Sequence, residues 1–245
     1  MKKYQKTVSL LESLQLKGVL RALEGEITEA ENRKASYLSF LTELLEAEIG
    51  YRTERKLKRN LAGAHFPVEK SMDDFEYEHI GGISKTEMAN LLDFVWIENH
   101  TNLLFFGPPG LGKTHLAIAL GLRAVQAGYL VCFERVTNLI KLLKTAEIQR
   151  TAGFRIKRLL KSDLVIIDEI GYTPIERKEA NLFFNLISEL YEKSSVLITS
   201  NKGFDEWSEM MGDEIMTVAM LDRLLHHSKV FNLSGYSYRI QKKEA

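Results

Sequence analysis

The chain has 245 residues, 45% of them hydrophobic and 27% charged, which suits a soluble globular protein with room for an α/β core and a small additional domain. Its 33 Lys and Arg balance 33 Asp and Glu, so net charge selects no class of partner. The single cysteine, Cys132, excludes an internal disulfide and a cysteine-rich zinc module. No apolar run reaches membrane-spanning or signal-peptide length, so a cytoplasmic location without membrane contact is expected.

The front of the chain reads as helices. Val8, Leu11, Val19, Leu20, Leu23 and Ile27 recur mostly at three- and four-residue steps, as one helix face requires. Tyr37, Leu38, Leu41, Leu44 and Leu45 repeat the pattern, with Ser36 or Ser39 as a cap near its start. The segment Tyr51 to Arg59 follows, with five basic residues (Arg52, Arg55, Lys56, Lys58, Arg59) against one acid. The stretch from Ala62 to Pro67 breaks the pattern and divides a helical domain, 1–66, from the remainder, 67–245. Beyond it, short apolar runs alternate with longer amphipathic ones. The five strand-like runs are Asn102–Phe106, Tyr129–Phe133, Asp163–Asp168, Val196–Asn201 and Lys229–Leu233. That alternation predicts a parallel sheet between helices.

Gly107-Pro108-Pro109-Gly110-Leu111-Gly112-Lys113-Thr114 fits the phosphate-binding loop G-x-x-x-x-G-K-[ST] at every fixed position. Its glycines let backbone N–H groups turn inward around phosphate oxygens. The helix that follows, beginning near Lys113 and including His115, aims its positive end at the same anion. Lys113 is expected on the β- and γ-phosphates of ATP and the Thr114 hydroxyl in the Mg²⁺ shell. Leu164 to Ile167 then lead into Asp168 and Glu169, a buried strand ending in two carboxylates. Asp168 suits the Mg²⁺ and Glu169 the activation of a water as general base. Asn201, ending the run Val196–Asn201, reaches the γ-phosphate if its strand lies between the other two; the alternative is an Asn beginning a loop.

The order GPPGLGKT, LVIIDE, ITSN and Leu221-Asp222-Arg223-Leu224 resembles the AAA+ ATPases of the DnaA/DnaC clade. The short helical front and the ending Gly235-Tyr236-Ser237-Tyr238-Arg239 resemble most the IstB family, helper ATPases of transposition encoded by bacterial insertion sequences. The resemblance implies an AAA+ core with Mg-dependent ATP hydrolysis, preceded by a small all-α domain for DNA, partner or oligomer contacts. It puts Lys113 and Thr114 on Walker A, Asp168 and Glu169 on Walker B, and Asn201 on the first sensor. Arg223 falls where the family supplies an arginine finger to a neighbouring subunit's ATP; the plainer reading is a surface Arg paired with an acid. Twelve residues follow Leu233 (245 − 233), too few for the lid domain of most AAA+ proteins.

The window 134–161 carries eight basic residues against two acids. Of these, Lys141, Lys144, Arg150, Arg155, Lys157, Arg158 and Lys161 are candidate phosphate contacts, because clustered cations bind nucleic acid by counterion release. A solvated helix face is the competing reading, and the clade's extra helix at this point favours DNA. The basic run Arg52 to Arg59 is a second candidate surface. The resemblance implies a homo-oligomer with ATP at subunit interfaces, on double-stranded DNA, stimulating an IstA-like transposase. A DnaC-like loader of a replicative helicase is the alternative. A small-molecule kinase and a pure binding module are disfavoured by Glu169, Arg223 and the intact Lys113 and Asp168.

Overall fold

The computed structural model describes residues 2–78 and 80–237, so Tyr238 and Arg239 of the terminal motif lie outside the described residues. It resolves into two compact units, 1–59 and 60–245. Among the described residues no helix is long and apolar enough to cross a membrane.

The first unit is all helical: α1 (Lys2–Ser13), α2 (Lys17–Arg33) and most of α3 (Tyr37–Ala64). The early apolar periodicity runs through a break, because Gln15 takes a left-handed φ of 57° and the chain turns between α1 and α2. Val19, Leu23 and Leu44 form the small core, with Val8, Leu11, Leu16, Ile27 and Phe40 against it. The stripe expected on α3 is only partly inward: Leu44 is buried, whereas Tyr37, Leu38, Leu41 and Leu45 are exposed. Apolar residues occupy more than one side of this helix, so periodicity does not single out the packed face. Ser36 caps α3 by accepting from Ser39 N–H. Glu48 reaches from α3 to the start of α2, accepting from the N–H groups of Gly18 (2.6 Å) and Val19 (3.2 Å). It satisfies donors that a helix N-terminus leaves open.

The last turn of α3 belongs to the second unit: Ala64 is fully buried in its main core. The unit boundary at Arg59 therefore falls earlier than the break at Ala62–Pro67, which marks the end of the helix. The second unit continues through β1 (Ile80–Gly81), α4 (Lys85–Asn90), a 3₁₀ turn (Leu91–Asp93), α5 (Val95–Glu98), β2 (Asn102–Phe106), α6 (Lys113–Gln126), β3 (Val131–Arg135), α7 (Val136–Thr145) and α8 (Arg150–Leu159). It ends with β4 (Leu164–Ile170), α9 (Arg177–Leu190), β5 (Ser195–Ser200), α10 (Phe204–Met211), α11 (Glu214–His226), β6 (Ser228–Asn232) and β7 (Ser234–Gly235).

Five strands make one parallel sheet in the order β3-β4-β5-β2-β6, and β1 pairs antiparallel with β7. Strand alternation sorts the core into two layers. Leu103, Phe105, Val131, Phe133, Leu164, Ile166 and Leu197 face α6 and the segment before β2. Leu104, Phe106, Cys132, Val165, Ile167, Val196 and Ile198 face α7, α9, α10 and α11. Asn102 ties the lower edge together: its side chain donates to Leu224 O (2.9 Å) and accepts from Val196 N–H (2.8 Å).

Candidate nucleotide site and basic surface

The loop between β2 and α6 stands at the carboxyl edge of the sheet. Gly107, Gly110 and Gly112 all have positive φ (140°, 89° and 80°). A Cβ on Gly107 would stand 2.2 Å from Leu233 O, and one on Gly112 would stand 2.5 Å from the Phe75 ring. The loop therefore needs glycine for both conformation and room. Lys113, opening α6, is buried and donates to the carbonyls of Gly107 (2.6 Å) and Pro108 (2.8 Å).

Strand order brings three motifs together. β5 lies between β2 and β4, so Asn201, just past its end, stands between the phosphate loop and the acidic pair. Asp168 is fully buried; its Oδ1 accepts from Thr114 (2.8 Å) and from Thr199 (2.6 Å). Its Oδ2 and the Oδ1 of Asn201 are buried acceptors without a hydrogen-bond partner among the described residues. Such atoms are costly unless a ligand completes them. A hard divalent cation fits: the acceptor is a carboxylate oxygen, and a hydroxyl ligand, Thr114, is bonded to the same group.

Consecutive strand residues point to opposite faces, which by itself would separate Asp168 from Glu169. The β4–β5 register shifts between Ile167 and Ile170, and Glu169 adopts φ 65°, a strained value for a non-glycine residue. The irregularity turns Glu169 into the cleft, where its N–H donates to Thr199 Oγ1 (3.0 Å) and its carboxylate stands 3.4 Å from Arg135 Nε. Sequence reasoning misses Thr199, Arg135 and Tyr172 as site residues, although Thr199 stands inside the ITSN motif.

A cleft of about 340 Å³ runs from Glu169 and Asn201 past the phosphate loop to Pro67, Val68, Phe75, Ile80 and Ile118. There the segment 67–80 adds Lys70, Asp74 and Glu76 to the lining beside these apolar side chains. His115 donates through Nε2 to Ser71 O (2.7 Å) and meets the Phe75 ring edge-on at 5.4 Å, which fixes the segment 67–78 over the start of α6. Half-buried Tyr77 packs on Phe75 (4.7 Å), and burial pushes its phenol above the ordinary value. The segment carries no sequence signature, since its function depends on where it folds.

Arg223 stands elsewhere. It lies on α11 just before β6, whose first residue pairs with Asn102 at the lower edge of the sheet, whereas the phosphate loop follows the other end of β2. Its Nη1 donates to Ala219 O (2.7 Å), and its guanidinium lies 5.0 Å above the Phe184 ring, so the aromatic face takes the place of the expected acid.

The basic window divides. Arg155 is a correction: it faces inward, paired with Glu134 and donating to the carbonyls of Gly63 (2.6 Å), Phe133 (2.9 Å) and Ala64 (3.2 Å). A guanidinium with its donors spent on buried carbonyls cannot meet a phosphate. Arg158, half-buried, donates to Gly63 O (2.9 Å) and is also structural. Lys141, Lys144, Arg150, Lys157 and Lys161 remain exposed, as do Arg52, Arg55, Lys56, Lys58 and Arg59 of α3. Lys144 pairs with Glu179 (2.8 Å), which raises the lysine pKa and lowers that of the glutamate. Arg52 pairs with Glu48 and Lys58 with Glu54, both at 2.6 Å.

Comparison with known proteins agrees with this geometry. The family model for IstB-like ATP binding proteins matches residues 9–245. A protein of insertion sequence IS21 from Pseudomonas aeruginosa, named as ATP-binding, is 39% identical over 234 residues, covering 96% of this chain and 88% of the relative. A counterpart of insertion sequence IS5376 from Geobacillus stearothermophilus is 38% identical over 214 residues, covering 87% and 85%. Among solved structures, DnaI aligns with a TM-score of 0.57 at 14% identity, covering 67% of this chain and 91% of that one. The DnaC helicase loader gives 0.52 at 20%, covering 67% and 96%; both likenesses concern the fold. The chain belongs to the IstB-like ATP binding protein family.

Proposed function

We propose that this protein is an ATP-hydrolysing, DNA-binding regulator of DNA transposition that assembles on target duplex DNA, remodels it and stimulates a partner transposase. The observation that carries hydrolysis is the convergence of Thr114, Asp168, Glu169 and Asn201 on one point beside the phosphate loop. Thr114 and Asp168 hold Mg²⁺, which when bound supplies charge neutralisation at the phosphates. Lys113 and the loop N–H groups seat the β- and γ-phosphates. The apolar side chains of the cleft, Val68, Phe75, Ile80 and Ile118, receive the adenine. Glu169 accepts a proton from a water whose oxygen attacks the γ-phosphorus, and the bond to the β–γ bridging oxygen breaks to release ADP. Asn201 orients that water.

The position of Arg223, remote from its own phosphate loop, supports a role at the nucleotide of a neighbouring copy. Exposed Arg150 and Lys157 on α8, Lys161 in the turn after it and Lys141 on α7 support DNA phosphate contact. The relatives' names tie them to insertion sequences, and this supports a transposase encoded with the ATPase as the partner. The test is phosphate release from ATP with and without duplex DNA, in parallel with co-purification of the transposase. No release by wild-type protein removes the ATPase reading. Retention of a replicative helicase in place of the transposase makes the protein a loader.

A further inference from the structure

The outward face of α8 carries more than charge. Ala152, Arg155 and Leu159 are buried at steps of three and four, so Arg150, Phe154 and Lys157 fall on the opposite side, and exposed Lys161 follows in the turn past the helix end. On that side Phe154 is 58% exposed, and Ile148, in the turn from α7 to α8, is 87% exposed. Arg150 places its guanidinium 5.3 Å above the Phe154 ring.

This apolar pair stands on a fixed base. The bonds of Arg155 to Gly63, Ala64 and Phe133 pin α8 to the body of the unit. At Gly153 a Cβ would come within 2.9 Å of Ala146 O, so α8 closes tightly on the end of α7 beneath the Ile148 turn. A large aliphatic and an aromatic, both held in water, with Arg150 over the aromatic ring and Lys157 on the same helix face, match a partner with negative charge outside and stacked apolar rings inside. Duplex DNA has that construction. A lipid surface fits less well, because an interfacial helix gives its apolar face to the membrane, and α8 gives its own to the sheet.

We propose that Ile148 and Phe154 form an apolar wedge that enters a base step of bound duplex DNA, with Arg150, Lys157 and Lys161 on the flanking phosphates. Partial unstacking at that step kinks the duplex, and this is the physical means of remodelling. The inference rests on the reading of α7 and α8 as the DNA surface.

The test uses the full chain with ATP, magnesium and a duplex carrying 2-aminopurine, whose fluorescence rises on unstacking. Binding is followed by anisotropy across a salt series. Wild-type protein is expected to bind with a steep salt slope and raise the fluorescence. The double variant Ile148→Ser/Phe154→Ser is expected to keep the slope, bind roughly tenfold more weakly, the order of a single base-stacking interaction, and leave the fluorescence flat. Ile148→Leu/Phe154→Leu, which retains apolar bulk, should restore the rise. A double Ser variant that binds and unstacks like wild type overturns the wedge and leaves the DNA surface standing. Wild-type protein that fails to bind, or binds without salt dependence, overturns the surface and the wedge together.

Discussion

Glu169 is the residue at which sequence and geometry part most instructively. Its identity beside Asp168 supports the proposed role of general base, but its place in the cleft comes from a strained φ of 65° and an irregular β4 edge. Glu169→Gln preserves shape and hydrogen bonding while removing the base. It should leave ATP affinity intact and lower turnover by ~10²-fold or more, as loss of general-base catalysis does; phosphate release with equilibrium nucleotide binding checks both. Lys113→Ala should weaken nucleotide binding itself. Arg135 makes a subtler prediction. Its ion pair with Glu169 is about half exposed (53% and 37%), and such pairs contribute ~0–1 kcal/mol. Arg135→Ala releases the carboxylate to accept from water, so DNA-free turnover should rise by about fivefold at most. A fall to the Glu169→Gln level would instead make Arg135 necessary for placing the base.

At the scale of elements, α8 shows how one helix can do two jobs. Its inner side is a structural clamp: removing one partner of a buried ion pair costs ~3–5 kcal/mol, so Arg155→Ala should strongly destabilise the protein in thermal denaturation. Its outer side is the proposed DNA surface. Lys157→Glu/Lys161→Glu should leave stability almost unchanged and flatten the salt dependence of duplex binding by about one unit of slope for each phosphate no longer neutralised. Unequal stability losses distinguish the two sides. The junction of α2 and α3 offers a pH prediction. Burial alone pushes the Glu48 carboxyl up, but hydrogen bonds from Arg52 and from the Val19 and Gly18 N–H groups outweigh it and hold its pKa below the ordinary value. Stability from these bonds is therefore complete above the unfolded-state pKa and is lost as pH falls through the lower, folded one. Helicity of the first unit should decline in that acid range, and Glu48→Gln should remove this component of the pH dependence.

For the whole molecule, Arg223 stands at the edge of the sheet opposite its own phosphate loop, so the proposed site is complete only across two copies. Arg223→Ala and Lys113→Ala are each expected to be nearly inactive alone. Mixed, they should regain part of the turnover, because a subunit with an intact phosphate loop can then adjoin one with an intact Arg223. Absence of complementation in assemblies shown to contain both variants would remove Arg223 from the reaction. Much of this organisation is legible in the sequence. The phosphate loop, the acidic pair and the five strands announce themselves because local spacing encodes them: glycine where φ is positive, and apolar runs in the strands, all covered on both faces except β6. The roles of Arg155 and Arg158 are not legible, because a cation on a helix reads the same whether its face meets water or a row of carbonyls. The α1–α2 break is hidden for a related reason, since an apolar step of three or four persists across a turn.

The sequence by itself determined which groups are available here: a glycine-rich phosphate-loop motif at Gly107–Thr114, two adjacent carboxylates at Asp168 and Glu169, and an excess of cations in 134–161. Tertiary structure decided which of those groups meet. Strand order set Asn201 between loop and acids, the irregularity in β4 brought Glu169 to the lining of the cleft, and packing of α8 hid Arg155 while leaving Ile148 and Phe154 in water. The physical reason is range. Backbone conformation and residue type act over a few neighbours along the chain, whereas burial and convergence depend on which distant segments share a surface.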